Sequence, residues 1–165
     1  MINDKSRKIF IYIALVLLVF ALDRASKTII LNILENVGKV DVYVNSFLSL
    51  YLVWNQGIGF GLFSFDQSHI YTGITLFIFI INLIIIYLIY KEKAPKTYFL
   101  AIILGGSSGN LFDRYYYSAV PDFIDLNYNG YHWFIFNVAD IFITLGIICL
   151  ILAEFLKYEK QNDKK

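Results

Sequence analysis

The 21 residues from Ile70 to Tyr90 read IYTGITLFIFIINLIIIYLIY, with no Asp, Glu, Lys or Arg among them. About 20 apolar residues of helix cross the hydrocarbon of a bilayer, so this stretch is long enough to span one. Hydrocarbon offers the backbone no hydrogen-bond partner, and a lone segment there must satisfy its own N–H and C=O groups as a helix. Three more stretches read the same way. The predicted spans are approximately 9–33, 68–90, 98–117 and 134–156, separated on one side by loops of approximately 34–67 and 118–133.

Composition agrees with a chain dissolved in lipid. Of 165 residues, 58% are hydrophobic and only 16% charged, whereas a soluble domain is about a quarter charged. The single Cys149 excludes a disulfide framework, a dithiol redox centre and a thiolate metal site. His69 and His132 leave little for a histidine cluster, and no H-E-x-x-H occurs, so no metal or other cofactor is expected. A formal charge of +1 gives no global field to draw in nucleic acid. The chain is expected to be an all-α polytopic membrane protein. It has four transmembrane helices and a small extracytoplasmic β-containing platform, in one domain over residues 1–165.

Basic residues orient it. Lys5, Arg7 and Lys8 precede the first span, Lys91, Lys93 and Lys96 link the second to the third, and Lys157, Lys160, Lys164 and Lys165 follow the fourth. Ten of the 14 Lys and Arg residues therefore lie on one side, which the positive-inside rule makes cytoplasmic along with both termini. Asp23 to Lys27 stand where a signal-peptide cleavage site would lie, so the first helix is expected to be uncleaved. In the first outer loop Leu48, Leu50, Leu52 and Trp54 alternate with Ser49, Tyr51 and Val53, a weak strand signal. Gly57, Gly59 and Gly61 mark a tight, irregular backbone after it.

Polar residues inside spans are costly and mark functional sites by default. They gather at the outer ends. Asp23 and Lys27 share a face of the first helix; Ser107, Asn110, Arg114 and Tyr117 share one on the third, with Asp113 beside them. Gly105 and Gly109 there are spaced for close helix approach. Asn137, Asp140 and Thr144 follow on the fourth. Much of this has a structural reading. Asp23–Lys27 and Asp113–Arg114 can be ion pairs that tie helix ends. Asp125 reads as a solvated loop residue, Asp66 and His69 as the cap region of helix two, and His132, Trp133 and the tyrosines as an interfacial belt. Asp122 and Asp140 resist that treatment, because neither has a basic residue within four positions. Two neighbouring carboxylates do not both ionise easily, so the pair suits water-mediated peptide hydrolysis and equally a proton relay.

Five ordered motifs carry a resemblance. Asp23-Arg24-Ala25-Ser26-Lys27, Asn55-Gln56-Gly57-Ile58-Gly59-Phe60-Gly61, Gly105 to Arg114 (GGSSGNLFDR), Asp122-Phe123-Ile124 and Phe136-Asn137-Val138-Ala139-Asp140 resemble, in order, the motifs of the lipoprotein signal peptidases, or signal peptidases II. These are membrane aspartyl peptidases of bacteria. Arg24, Ile58-Gly59, Pro121 and Phe134 depart from that family's usual residues. The resemblance implies Asp122 and Asp140 as catalytic carboxylates, with Asp113 the rival for the first role. It implies Asp23, Lys27, Asn55, Gly57, Asn110, Asp113, Arg114, Asn137 and Ala139 as supporting or substrate-binding residues. It further implies a β platform with a short amphipathic lid, diacylglyceryl-modified prolipoprotein substrates, contact with membrane lipid, inhibition by globomycin-type compounds and a monomer. The place would be the bacterial inner membrane, with the site near its outer face. The competing reading is a small proton-coupled transporter or channel using Asp23, Asp113 and Asp140; it expects carboxylates across both leaflets. A scaffold without chemistry is the third.

Overall fold

A computed structural model describes residues 4–57, 68–128 and 131–162. Gly59, Gly61, Asp66, Gly130 and the segment expected to form a lid lie outside the described residues. Four helices and four strands follow in the order α1 (Asp4–Val37), β1 (Asp41–Asn45), β2 (Leu48–Asn55), α2 (Ser68–Lys91), α3 (Lys96–Tyr117), β3 (Val120–Tyr128), β4 (Tyr131–Phe136) and α4 (Val138–Asn162).

Helices α1, α2 and α4 contain stretches long and apolar enough to cross a membrane. They turn large apolar side chains outward, among them Leu17, Phe77 and Ile151, as expected where lipid is the solvent. Helix α3 differs. It packs against all three other helices, and buries Gly105, Gly106, Ser107, Gly109, Asn110, Asp113 and Arg114 together with Leu100, Ile103 and Leu104. Its polar residues face protein, which is why they are tolerated at this depth.

The glycines set how close the helices come. A Cβ on Gly105 would sit 2.8 Å from the Val16 carbonyl oxygen of α1, and one on Gly106 would sit 2.7 Å from the Ala139 carbonyl oxygen of α4. On Gly109 it would run into the Asp23 carboxylate. Gly106→Ala is expected to force α3 and α4 apart and to cost about 1–3 kcal/mol. A fall in the thermal unfolding midpoint checks this; an unchanged midpoint would show the contact to be looser than described.

The strands form one antiparallel sheet of order β1-β2-β3-β4. Its partners include Asp41↔Tyr51, Val53↔Asp122, Asn55↔Val120 and Ile124↔Phe136. Between Leu50↔Ile124 and Val53↔Asp122 the β2 strand carries one extra residue, an irregularity of the kind that re-aims side chains beside sites. The segment 118–133 is thus more than a loop: it supplies half of the platform, and helix four begins at Val138 because Tyr131–Phe136 pairs as a strand. Asp125, expected in solvent, is fully buried instead. It lies on β3, where Asn127 Nδ2 donates to it at 3.1 Å and His132 Nδ1 lies 2.7 Å away. The chain reverses from α3 into β3 within two residues, with Ser118 in the left-handed region at φ 56°. That reversal brings Asp122 back over the end of α3.

Two apolar clusters bracket the polar layer. Ile85, Leu100, Ile103 and Leu104 pack with Val16 and Ile143 toward the α2–α3 link. Ile30, Val40 and Phe123 pack with Leu50, Ile124 and Val138 beneath the sheet. Along α1, Asp23 and Lys27 fall between Val16 and Ile30, so the charges are sealed above and below.

Candidate active site

Lys27, 0% exposed, organises the layer. Its Nζ donates to Asn110 Oδ1 at 2.8 Å and to Asp113 Oδ2 at 2.6 Å, and lies 2.9 Å from Asp23 Oδ1. Arg24 closes the other side: its guanidinium reaches Asp23 Oδ2 at 3.0 Å and Asp113 Oδ1 at 2.6 Å, and stacks 4.9 Å from the centre of the Phe112 ring. Two acidic and two basic side chains thus face one another, and burying such charges costs far less in pairs than singly. Asp113 therefore pairs with Lys27 and Arg24, not with its sequence neighbour Arg114. Adjacent residues on a helix project to different faces, and Arg114 donates instead to the Gly57 carbonyl at 2.8 Å and the Asn110 carbonyl at 3.2 Å.

Asn110 carries this order onward. With its Oδ1 held by Lys27, its Nδ2 is left to donate to Asp140 Oδ1 at 2.8 Å. Asp140 stands in the first turn of α4. Its Oδ2 accepts from the Asn137 N–H at 3.1 Å, while its own N–H donates to Asn137 Oδ1 at 3.1 Å. This reciprocal pair is a capping box, here closed by Asn and Asp. It fixes the Asn137 amide so that Nδ2 donates to Asp122 Oδ1 at 2.6 Å. The second oxygen of Asp122 accepts from Asn55 Nδ2 at 2.8 Å, and Asn55 Oδ1 in turn accepts from the Gly57 N–H. The Ala139 N–H donates to Asp23 Oδ1 at 3.1 Å, tying α4 back to α1.

All eleven residues that the resemblance implies thus belong to one network drawn from α1, β2, α3, β3 and α4, with Gly57 just past β2 and Asn137 just before α4. Arg24 joins it although only its place in a motif had been noted, and Tyr71 joins through its hydroxyl, which donates to the Arg114 carbonyl at 3.2 Å. Asp125 and His132 form a separate pair on the platform.

Asp122 and Asp140 differ from Asp23 and Asp113 in having no ion-pair partner among the described residues. They meet neutral amides, and Asn137 touches both. Burial pushes the Asp122 carboxyl up to about 6, and the negative charge of Asp140 adds to the rise, against the hydrogen bonds from Asn137 and Asn55. One proton shared by such a pair leaves an ionised oxygen able to take a proton from water and a protonated one able to donate.

The raised pKa has a stability consequence. The folded state holds the Asp122 proton to about 6, while the unfolded chain releases it near 3.9, so between those values the folded state binds more protons. Stability is thus expected to fall as pH rises from about 4 to about 6, by roughly 2–3 kcal/mol from this group. The difference in unfolding free energy between wild type and Asp122→Asn, followed across that range, should show the slope; a difference flat with pH would contradict it.

Comparison with known proteins accords with this arrangement. The signal peptidase (SPase) II family pattern matches residues 15–156. A lipoprotein signal peptidase of Pelagibacter ubique (strain HTCC1062) is 49% identical over 159 residues, covering 96% of each chain. One from Anaplasma marginale (strain Florida) is 38% identical over 148 residues, covering 88% of this chain and 84% of its own. A solved bacterial membrane enzyme superposes with a TM-score of 0.69 at 30% identity, covering 95% of this chain and 93% of that one. With a match across nearly its whole length, four helices, a β platform and a pair of carboxylates joined through Asn137, the chain belongs to the signal peptidase II family of membrane aspartic endopeptidases.

Proposed function

We propose that Asp122 and Asp140 are the carboxylates with which this inner-membrane signal peptidase II removes lipoprotein signal peptides, cutting immediately before the diacylglyceryl-modified cysteine. The observation that carries the assignment is Asn137, which bonds both side chains and holds them as one unit that makes no ion pair among the described residues.

A water between the pair gives a proton to the ionised carboxylate and attacks the peptide carbonyl, while the protonated carboxyl donates to the carbonyl oxygen as charge develops there. The tetrahedral intermediate collapses when the nitrogen takes a proton from the pair, releasing the amine of the lipidated cysteine. The two carboxylates act as a coupled acid and base, so their titration belongs to the pair. Asn55 and Asn137 orient Asp122, Asn110 orients Asp140, and Lys27 orients Asn110. Asp23 and Asp113, with Arg24, hold α1 against α3. Arg114 fixes the backbone at Gly57 beside the site.

The basic residues at the α2–α3 link and near both ends of the chain support a cytoplasmic position for both termini, with the carboxylates near the outer face. A lipid anchor and an apolar signal helix both partition into the bilayer, so the scissile bond reaches this depth already oriented. The whole chain acts as one peptidase domain, as a monomer, open to globomycin-type inhibitors. The transporter alternative is disfavoured by the confinement of the buried carboxylates to the platform end, with apolar packing beneath.

Purified protein in lipid, given a precursor with and without its diacylglyceryl group in the presence of a chelator, tests this. Cutting before the cysteine is expected only for the lipidated form and at an undiminished rate in chelator. Loss of cutting in chelator, or equal cutting of both forms, would overturn the reading.

A further inference from the structure

At the end of the bundle away from the carboxylates, residues 92–95 link α2 to α3. An open groove of about 940 Å³ runs beside this link, walled by Phe99, Cys149, Leu152 and Leu156. Lys91, Lys93, Lys96 and Lys157 surround its mouth, with Glu92 the one acid among the lining residues. The cations are not equally free. Lys96 is paired with Glu154, and the Lys91 ammonium lies 5.2 Å from the centre of the Tyr87 ring. Lys93 and Lys157 have no ion-pair partner among the described residues. A second groove of about 910 Å³ flanks the other side of the same link, walled by Ile9, Ile13, Ile86 and Ile89, with Lys8 at its edge.

We propose that the first groove binds an anionic phospholipid, with its phosphodiester between Lys93 and Lys157 and an acyl chain along Phe99, Leu152 and Leu156. The argument is one of charge and shape. An apolar trough that opens onto the exposed face of α4 at Leu152 and Leu156 accepts a chain. The ammonium groups of Lys93 and Lys157, which make no ion pair among the described residues although Lys157 feels the charge of Glu154, meet the phosphate. A zwitterionic headgroup would bring its own cation to those lysines and lose most of the attraction. The occupant is a lipid of the surrounding bilayer, since a soluble phosphate ester leaves the apolar walls uncovered.

Cys149 lines the groove and is the only cysteine of the chain, so its maleimide labelling rate reports occupancy. In detergent micelles of the full chain, phosphatidylglycerol is expected to slow labelling at about tenfold lower concentration than phosphatidylcholine, each lysine near the headgroup contributing about fivefold at most. Lys93→Gln with Lys157→Gln should abolish that preference, Lys93→Arg with Lys157→Arg should keep it, and Lys164→Gln with Lys165→Gln should leave it within about twofold. Thermal unfolding of each variant reads out the fold separately. Equal protection by both lipids, equal loss in the Lys164/Lys165 variant, or protection by glycerol 3-phosphate alone would overturn the proposal.

Discussion

Asp122→Asn and Asp140→Asn are each expected to lower kcat/KM for the lipidated precursor by about 10³-fold or more, through loss of proton transfer in both steps. The surrounding amides make the effect larger than the removal of a charge alone. Both oxygens of Asp122 accept from amide nitrogens, and neither donor can turn over. Asn55 Oδ1 is held by the Gly57 N–H and Asn137 Oδ1 by the Asp140 N–H. An Asn at 122 therefore sets its own NH2 against one of theirs, at a cost of about 1–3 kcal/mol for the unsatisfied donor. At 140 the same conflict arises between Asn110 Nδ2 and the Asn137 N–H. Asp113→Asn provides the contrast. It leaves Lys27 and Arg24 sharing one carboxylate, so its main effect falls on stability, and activity per folded molecule should stay within about tenfold of wild type. Cleavage rates paired with thermal unfolding separate the two kinds of loss.

Lys27→Met is expected to destabilise the protein by about 3–5 kcal/mol. The ammonium is fully buried and meets Asp23, Asn110 and Asp113 at once. Its removal leaves two carboxylates to Arg24 alone in a region that water does not reach. The Asn110 amide also loses the bond that fixes which end faces Asp140, so activity should fall in the molecules that do fold. The Lys96–Glu154 pair sets the scale from the other side. With the Glu154 side chain 60% exposed, Lys96→Gln should change stability by less than about 1 kcal/mol. Equal effects at Lys27 and Lys96 would mean that the buried cluster is not the structural centre described.

The helices were legible because lipid imposes a simple rule. A run such as Ile70–Tyr90 has no other stable use, and the lysines at the link and tail agree on one side. Helix α3 was legible for the opposite reason, since Gly105, Gly106, Gly109, Asn110 and Asp113 are expensive unless protein surrounds them. Sequence alone divides Tyr131–Phe136 between the outer loop, to 133, and the start of the fourth span, from 134, because a short apolar run carries no periodicity that separates strand from helix. Its pairing with β3 depends on a partner only the fold supplies. The buried state of Asp125 was hidden likewise, since it rests on Asn127 and His132 being brought against it. Arg114 beside Asp113 suggested a pair, yet helix geometry sends them to different elements, and Arg24, one turn from Lys27, takes the place that adjacency had given to Arg114.

The central claim is that Asp122 and Asp140 act as one unit. The most direct test is a double-mutant cycle on the cleavage rate of the diacylglyceryl-modified precursor, with Asp122→Asn, Asp140→Asn and the double variant, each shown to be folded. A double variant no slower than the slower single, within about threefold, is the predicted result, because a pair missing either member has already lost the reaction. Losses that multiply would show two carboxylates with independent roles and would contradict the account.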